Sequence, residues 1–264
     1  MNDLAAEWRG ELISRHDWEL DSQKTPSCGA LSGVWLKQRP YAPYGAYLKP
    51  TTYVCTFPAA AKEKIAADLA YDLGLSVAPV LLCDSQFRFG AVQNECCVSL
   101  VTHAEVQPWG VLWTEALQRS SVGAAIRKAA AECVSSLAVF DLWIDNRDRD
   151  NAGNVVFGED RDFPSRSGFI GLDHSLSMGT ANSWANDGWK MVTRVPFPEE
   201  LRGALDASVM LRFTERIEGL TDETVVRCVE RIPDTYLDSE CRSLLVKGLV
   251  SRKSLVREFV LQNM

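Results

Sequence analysis

Two short apolar runs framed by acidic residues constrain this chain more than any other feature. Residues 140 to 157 read FDLWIDNRDRDNAGNVVF, and residues 168 to 175 read GFIGLDHS. Val155, Val156 and Phe157 form one run; Phe169, Ile170 and Leu172 form the other. The stretch between them, GEDRDFPSRS, is polar and carries Gly, Pro and Ser, which predicts two strands joined by a loop. A hairpin brings its outer ends together, so Asp148 and Asn154 are expected near Asp173, with Asp145, Asp150 and Asn151 crowding the same end. Carboxylates and an amide converging there are hard oxygen donors of the kind that hold Mg²⁺ against phosphates. Phosphoryl transfer needs such a set: a base, metal ligands and little covalent chemistry.

The rest of the composition narrows the class. The chain has 264 residues, 46% hydrophobic and 24% charged, enough for one large domain or two lobes with a full core. Its net charge of −7 argues against a nucleic-acid binder, which normally shows a basic excess. No apolar run reaches the ~18 residues of a membrane span, and MNDLAAEWRGELISRHDWEL has no signal-peptide core. The eight cysteines, at 28, 55, 83, 96, 97, 133, 228 and 241, include no CxxC pair. They read as free thiols, several within apolar stretches. A cytoplasmic, reducing setting is expected, with no membrane and no direct nucleic-acid binding.

The pattern along the chain predicts an α+β fold of two lobes. Residues 1–103 form a small β-rich lobe with one helix. GVWLKQ, AYLKP and TYVCTF read as short strands punctuated by Gly and Pro, and PYAPYG as a turn. Pro58 suits the first turn of a helix. Ile65, Leu69 and Leu73 recur at helical spacing, and Gly74 is the stop. SVAPVLLCD and FGAVQNECCVSLV read as further strands, with a turn at 84–86. Residues 104–264 form the larger, helical lobe. Ile126, Ala130, Cys133, Leu137 and Phe140 mark one face of a long helix running into the acidic segment. Beyond the hairpin the helical candidates are 198–206, 208–218, 221–231, 238–249 and 251–262, with Thr221, Asp222 and Glu223 as a cap and first turn. A cleft between the lobes is the default ligand site.

The order of parts is a Lys-bearing strand, a helix with a Glu, an Asp…Asn loop, a hairpin and another Asp. This is the order found in protein-kinase-like phosphotransferases, although HRD, DFG and APE are absent. Asn146, Asp148, Arg149 and Asn154, followed by Leu172, Asp173, His174 and Ser175, resemble the motifs of the atypical branch. That branch comprises the HipA-like serine/threonine kinases and the phosphatidylinositol kinases. Their catalytic segment reads roughly N-x-DR-H with an Asn shortly after, followed by an I/L-D-H/N-S metal motif. The resemblance covers roughly residues 25 to 180.

That resemblance implies an ATP- and Mg²⁺-dependent kinase with the atypical protein-kinase fold. Asp148 would accept or orient the hydroxyl proton. Asn154 and Asp173 would hold Mg²⁺. Lys49 would reach the ATP phosphates, and Glu63 would hold Lys49 in place. SCGALSG, residues 27 to 33, would cover the phosphates with Gly29 and Gly33, and Ser27 or Ser32 would be the site of regulatory autophosphorylation. A protein substrate is favoured over a lipid, since the chain lacks a basic amphipathic membrane patch; a small-molecule phosphotransferase shares the lobe plan. The resemblance also implies a regulatory partner protein of the antitoxin kind. The chain is shorter than a HipA-type toxin, so that family's N-terminal subdomain is expected to be missing or on another chain.

Alternatives stay open at several positions. Lys37 on the preceding strand is a rival to Lys49. Glu63, flanked by Lys62 and Lys64, also fits a solvated helix face. His174 fits packing beneath the site better than ligation. Asp150 stands where the related families often carry His. The step from Asp148 to Asn154 is six residues where five is usual, which leaves Asn151 as a rival amide. Two other functions compete: a catalytically degenerate kinase-fold module that binds nucleotide or a partner protein, and a metal-dependent nuclease built on the clustered aspartates.

Overall fold

In the computed structural model the described residues are 12–13, 18–22, 34–38, 45–49, 57–84, 88–89, 92–93, 96–101, 105–109, 120–159, 168–191, 197 and 199–264. Gly29, Gly33, Ser27 and Ser32 lie outside them, as do residues 40–44 of the turn expected at PYAPYG, residues 52–56 of the strand expected at TYVCTF, and residues 85–86.

The first lobe contains β1 (Leu12–Ile13), β2 (Trp18–Leu20), β3 (Val34–Gln38), β4 (Gly45–Lys49), α1 (Ala59–Asp72), β5 (Val80–Cys83), β6 (Arg88–Phe89), β7 (Val92–Gln93) and β8 (Cys97–Val101). Six of these strands form one sheet in the order β1-β5-β8-β4-β3-β2, while β6 and β7 pair with each other. Pairing is antiparallel except between β1 and β5. Strand alternation decides what each face carries. Ala46 and Leu48 of β4 are buried with Trp18, Leu36, Leu81 and Val98 on one side. Lys49 therefore points to the other side, where α1 lies. The alanines of α1 let it sit close to the sheet, and Ile65 and Leu69 join Val80, Leu82 and Cys97 in the main core. Pro58 stands at the N-cap in extended conformation, one place before the first turn expected for it. Gly74, at φ +67°, takes the left-handed conformation that ends the helix.

The second lobe adds β9 (Glu105–Pro108), α2 (Ser120–Ile144), β10 (Val155–Glu159), β11 (Gly168–Gly171), α3 (Ala181–Ala185), α4 (Glu199–Arg202), α5 (Ala207–Glu218), α6 (Asp222–Glu230) and α7 (Ser239–Asn263). The expected hairpin is present, with Val155 opposite Gly171 and Phe157 opposite Phe169. It is extended by β9 into a three-stranded sheet. Strand β9 falls where the sequence turns helical, because four residues are too few to show a period. Gly171 lets the hairpin approach α2 closely: a Cβ there would stand 2.9 Å from Leu137 Cδ1.

The helical candidates 238–249 and 251–262 are one continuous helix, α7. Gly248 does not end it, because the Trp184 ring packs onto that glycine; an added Cβ would lie 2.4 Å from the ring. Arg252, expected at the start of a second helix, is fully buried inside α7. It donates to the carbonyls of Leu142, Trp143, Trp189 and Met191. Two of these end α2, so Arg252 supplies donors to carbonyls that a helix terminus leaves unpaired. The candidate 198–206 shortens to α4, and Thr221 caps α6 by accepting from Thr224 N at 3.2 Å. No helix among the described residues is long and apolar enough to cross a membrane.

Candidate active site

Lys49, at the end of β4, meets Glu63 on the second turn of α1. Nζ lies 2.5 Å from Glu63 Oε1 and 3.3 Å from Asp173 Oδ1. The other Glu63 oxygen, Oε2, accepts the His174 backbone N–H at 2.9 Å. One carboxylate thus ties the first-lobe strand to the chain just beyond β11. Asp173 sits at φ 55°, in the left-handed region that Asp tolerates better than most residues. Its Oδ1 accepts from Ser175 Oγ at 2.6 Å and Ser175 N at 3.3 Å. Lys49 and Ser175 thus meet the same oxygen, Oδ1.

The acidic loop is built around Arg149. This guanidinium is fully buried and grips Asp141 of α2 with two bonds, Nε at 2.8 Å and one terminal nitrogen at 2.9 Å. Its other terminal nitrogen donates to the carbonyls of Asn154, at 2.7 Å, and Leu172, at 2.5 Å. Those carbonyls open β10 and follow β11, and Leu172 N–H closes the pair by donating to Asn154 O at 2.9 Å. Arg149 therefore fixes Asn154 itself and the residue before Asp173. Such bidentate, charge-assisted geometry is the strong form of hydrogen bond. Asn146 adds a bond to Asp141 Oδ1 at 2.9 Å.

The six-residue step from Asp148 to Asn154 is taken up by a 3₁₀ turn at Ala152–Asn154. Asn151 caps that turn, its side-chain oxygen accepting from Gly153 N at 3.0 Å, and is exposed. Asn154 is buried and faces Asp148: Nδ2 donates to Asp148 O at 2.5 Å and Oδ2 at 3.1 Å. With Nδ2 committed to Asp148, the amide offers Oδ1 to a cation.

The charges are strongly coupled. Burial opposes a charge on Lys49, but the Glu63 and Asp173 carboxylates hold its pKa above the ordinary lysine range. Burial likewise pushes Asp173 up, but Lys49 and the Ser175 hydroxyl outweigh it and hold Asp173 well below the usual carboxylate range. Burial raises Glu63, against the pull of Lys49. Asp148 is raised by burial and then by the charge of Asp173. His174 is buried edge-on against Phe140, 5.9 Å between ring centres. Burial, with Arg149 and Lys49 nearby, pushes its pKa well below the ordinary histidine value.

One ammonium faces two carboxylates, with Asp148 close by, so the centre keeps an excess of negative charge. Among the described residues no group of three or more His, Cys, Asp or Glu converges as a metal cage. A single carboxylate plus an amide is instead the donor set for Mg²⁺, which keeps waters and shares phosphate oxygens rather than filling a protein cage. The Asp173 carboxylate and Asn154 Oδ1 are donors of that kind.

Of the residues expected at a site, Lys49, Glu63 and Asp173 come together directly, and Asp148 and Asn154 form a second contact pair beside them. Lys37 does not join them. It is on β3 with its side chain 54% exposed, 3.1 Å from Glu19, whereas the Lys49 side chain is 13% exposed. Gly29 and Gly33 lie outside the described residues. Asp141 is the residue that sequence reading passed over, because it is the partner of Arg149 one helical stretch away. Two successive turns of helix followed by the Asp-Arg pair were the only signal. The cysteines among the described residues are free thiols, at 83, 96, 97, 133, 228 and 241.

The sequence matches no protein-family model and no curated protein. Solved structures do match. The Helicobacter pylori proinflammatory kinase CtkA aligns over 96% of this chain and 98% of its own, with a TM-score of 0.66 and 15% identity. HipA of Shewanella oneidensis MR-1, solved with HipB and operator DNA, aligns over 87% of this chain and 62% of its own, at TM-score 0.41 and 14% identity. WaaP in complex with acyl carrier protein aligns over 86% and 85%, at TM-score 0.36 and 15% identity. With nearly full mutual coverage against CtkA, the sheet-rich first lobe and the helical second lobe are one known arrangement: this chain has the two-lobed fold of the CtkA kinase structure.

Proposed function

We propose that this protein is an ATP- and Mg²⁺-dependent phosphotransferase that moves the γ-phosphoryl group to a protein serine or threonine hydroxyl. The observation that carries the reading is Lys49 Nζ between Glu63 and Asp173, at 2.5 and 3.3 Å. In this reading residues 1–103 cover the nucleotide, with Gly29 and Gly33 over its phosphates, and residues 104–264 carry the chemistry. Lys49, held by Glu63, neutralises charge on the phosphates; a preorganised cation acts where charge spreads in the transition state. Asp173 and Asn154 would hold the metal, which would supply positive charge to offset that of the phosphates. Asp148 accepts the hydroxyl proton as that oxygen bonds to the γ-phosphorus and the bond to the ADP oxygen breaks. Its raised pKa suits a group that must take up a proton. The protein substrate, a regulatory partner protein and a cytoplasmic setting belong to the same reading; the partner is carried by the motif resemblance, the setting by the scattered free thiols, and the protein substrate by the lack of a basic amphipathic membrane patch.

Mg-ATP is expected to stabilise the protein against heat. A ligand at 100 times its Kd adds about 2.7 kcal/mol, or roughly 5–10 °C in a domain of this size. Differential scanning fluorimetry with and without EDTA checks this. No shift at millimolar Mg-ATP counts against the site.

Asp148 and Asp173 are expected to fail differently. A metal ligand acts in both ground and transition states, while a base acts mainly in the transition state. Asp173→Ala should weaken Mg-ATP binding by calorimetry. Asp148→Asn should bind nearly as the parent does and lose about 10²- to 10⁴-fold in transfer of labelled phosphate. The reverse pattern would mean the two roles are exchanged.

A catalytically silent nucleotide-binding module is the second reading. Asp150 favours it, standing exposed two residues after the base, where related families often carry His. Mg-ATP binding with no transfer to any hydroxyl, the protein's own included, would select it. Cleavage of nucleic acid with Mg²⁺ and no ATP would select a nuclease.

A further inference from the structure

The segment Arg227–Tyr236, on and just after α6, grips the first lobe at two places that the chemistry above does not use. The first is α1. Asp68 is buried, pairs with Lys64 at 2.9 Å and lies 3.5 Å from Arg231. One turn on, Asp72 accepts from Cys228 Sγ at 3.5 Å and lies 3.8 Å from Arg227. The second is the sheet. The buried Tyr236 hydroxyl shares its proton between the carbonyls of Cys83, at 2.6 Å, and Cys96, at 2.9 Å. Cys83 ends β5, and Cys96 directly precedes β8.

These two grips bear on the two halves of one ion pair. Helix α1 carries Glu63, and fixing a rigid helix at positions 68 and 72 fixes position 63 as well. Strand β8 pairs with β4, and Cys97, next to Cys96, is the register partner of Lys49. A single second-lobe segment thus holds the helix bearing Glu63 and the strand beside Lys49. Holding both partners of such a pair from rigid elements is what preorganisation of a reactive centre requires.

We propose that Arg231 and Tyr236 are positioning residues that keep Lys49 and Glu63 assembled, so that the C-terminal helices set the geometry of the pair. The catalytic consequence rests on the phosphotransfer reading; the mechanical one does not. Neither residue touches a reacting atom. Both act through the elements they hold.

Tyr236→Phe removes only the hydroxyl, and Arg231→Met keeps an unbranched stem without its charge. Arg257→Met, which breaks the outer Arg257–Glu218 pair, is the control. Hydrogen–deuterium exchange in peptides 59–72 and 97–101 should quicken about tenfold in the two clamp variants and stay unchanged in the control, with α2 and α7 at parental rates. The kcat/KM for ATP should fall roughly five- to tenfold. That loss should vanish on a Glu63→Gln background, because residues acting through one contact are non-additive. A general loss of stability would instead multiply with Glu63→Gln. Parental exchange rates in both peptides, or multiplied losses, overturn the proposal. If the parent protein transfers no phosphate, the exchange rates still decide whether the segment holds α1 and β8, and the failure falls on the phosphotransfer reading alone.

Discussion

Lys49→Ala should lower phosphoryl transfer by about 10²- to 10³-fold, the cost of removing one preorganised charge-stabilising group, while Lys37→Ala should stay within about twofold. The two lysines are a strand apart in sequence but lie in different environments. Leu48 and Ala46 pack to the outer side of the sheet with Trp18 and Leu36, and this turns Lys49 inward onto Glu63 and Asp173. Lys37 pairs with Glu19 on an edge open to solvent, where an ion pair contributes about 0–1 kcal/mol. Single-turnover transfer of labelled phosphate separates them, with melting temperatures checked alongside because Lys49→Ala leaves two carboxylates facing each other. Full activity in Lys49→Ala with loss in Lys37→Ala would remove Glu63 from its assigned role as well.

Arg149→Met should cost about 3–5 kcal/mol, the usual penalty for stranding one partner of a buried ion pair, and lower the melting temperature by roughly 10 °C. The stranded partner is the Asp141 carboxylate, which is fully buried and keeps the single bond from Asn146 Nδ2. Two carbonyls at the base of the hairpin lose the Arg149 donor at the same time, and Asn154 O keeps only the Leu172 N–H. Arg149→Lys should recover little, since an ammonium cannot span a bidentate carboxylate and two carbonyls in one plane. Mg-ATP binding should weaken with stability, because Asn154 and Asp173 both hang from the carbonyls that Arg149 holds. A melting temperature within about 2 °C of the parent would show that Asp141 finds another donor.

Much of the fold was legible in the chain. The hairpin followed from two apolar runs around a polar loop, and α1 from the spacing of Ile65, Leu69 and Leu73 with Gly74 behind them. Alternation puts Lys49 on the face opposite Ala46 and Leu48, and the burial of those two with Trp18 and Leu36 is what turns it to α1. Runs, spacing and alternation are local signals, carried by periods of two or 3.6 residues and by turn chemistry. Strand β9 escaped because four residues show no period. The continuous α7 was read as two helices because what buries its middle comes from far away in sequence: Trp184 against Gly248 and the four carbonyls on Arg252.

What the chain alone determined was the inventory: which residues could act as a base, cation and metal ligands, and the order in which strand, helix, loop and hairpin present them. That order follows from covalent sequence and short-range periodicity. Only the tertiary structure decided which lysine meets Glu63 and Asp173, and which asparagine is buried against Asp148. Those choices turn on burial and on partners far away in sequence. Glu63 bonds to His174 N across 111 residues, and Tyr236 bonds to Cys83 O across 153. Arg252, unreadable in a helical repeat, is buried because α2 ends beside it with unpaired carbonyls. A side chain's role is set by the groups left unsatisfied around it, and those are known only once the chain has folded.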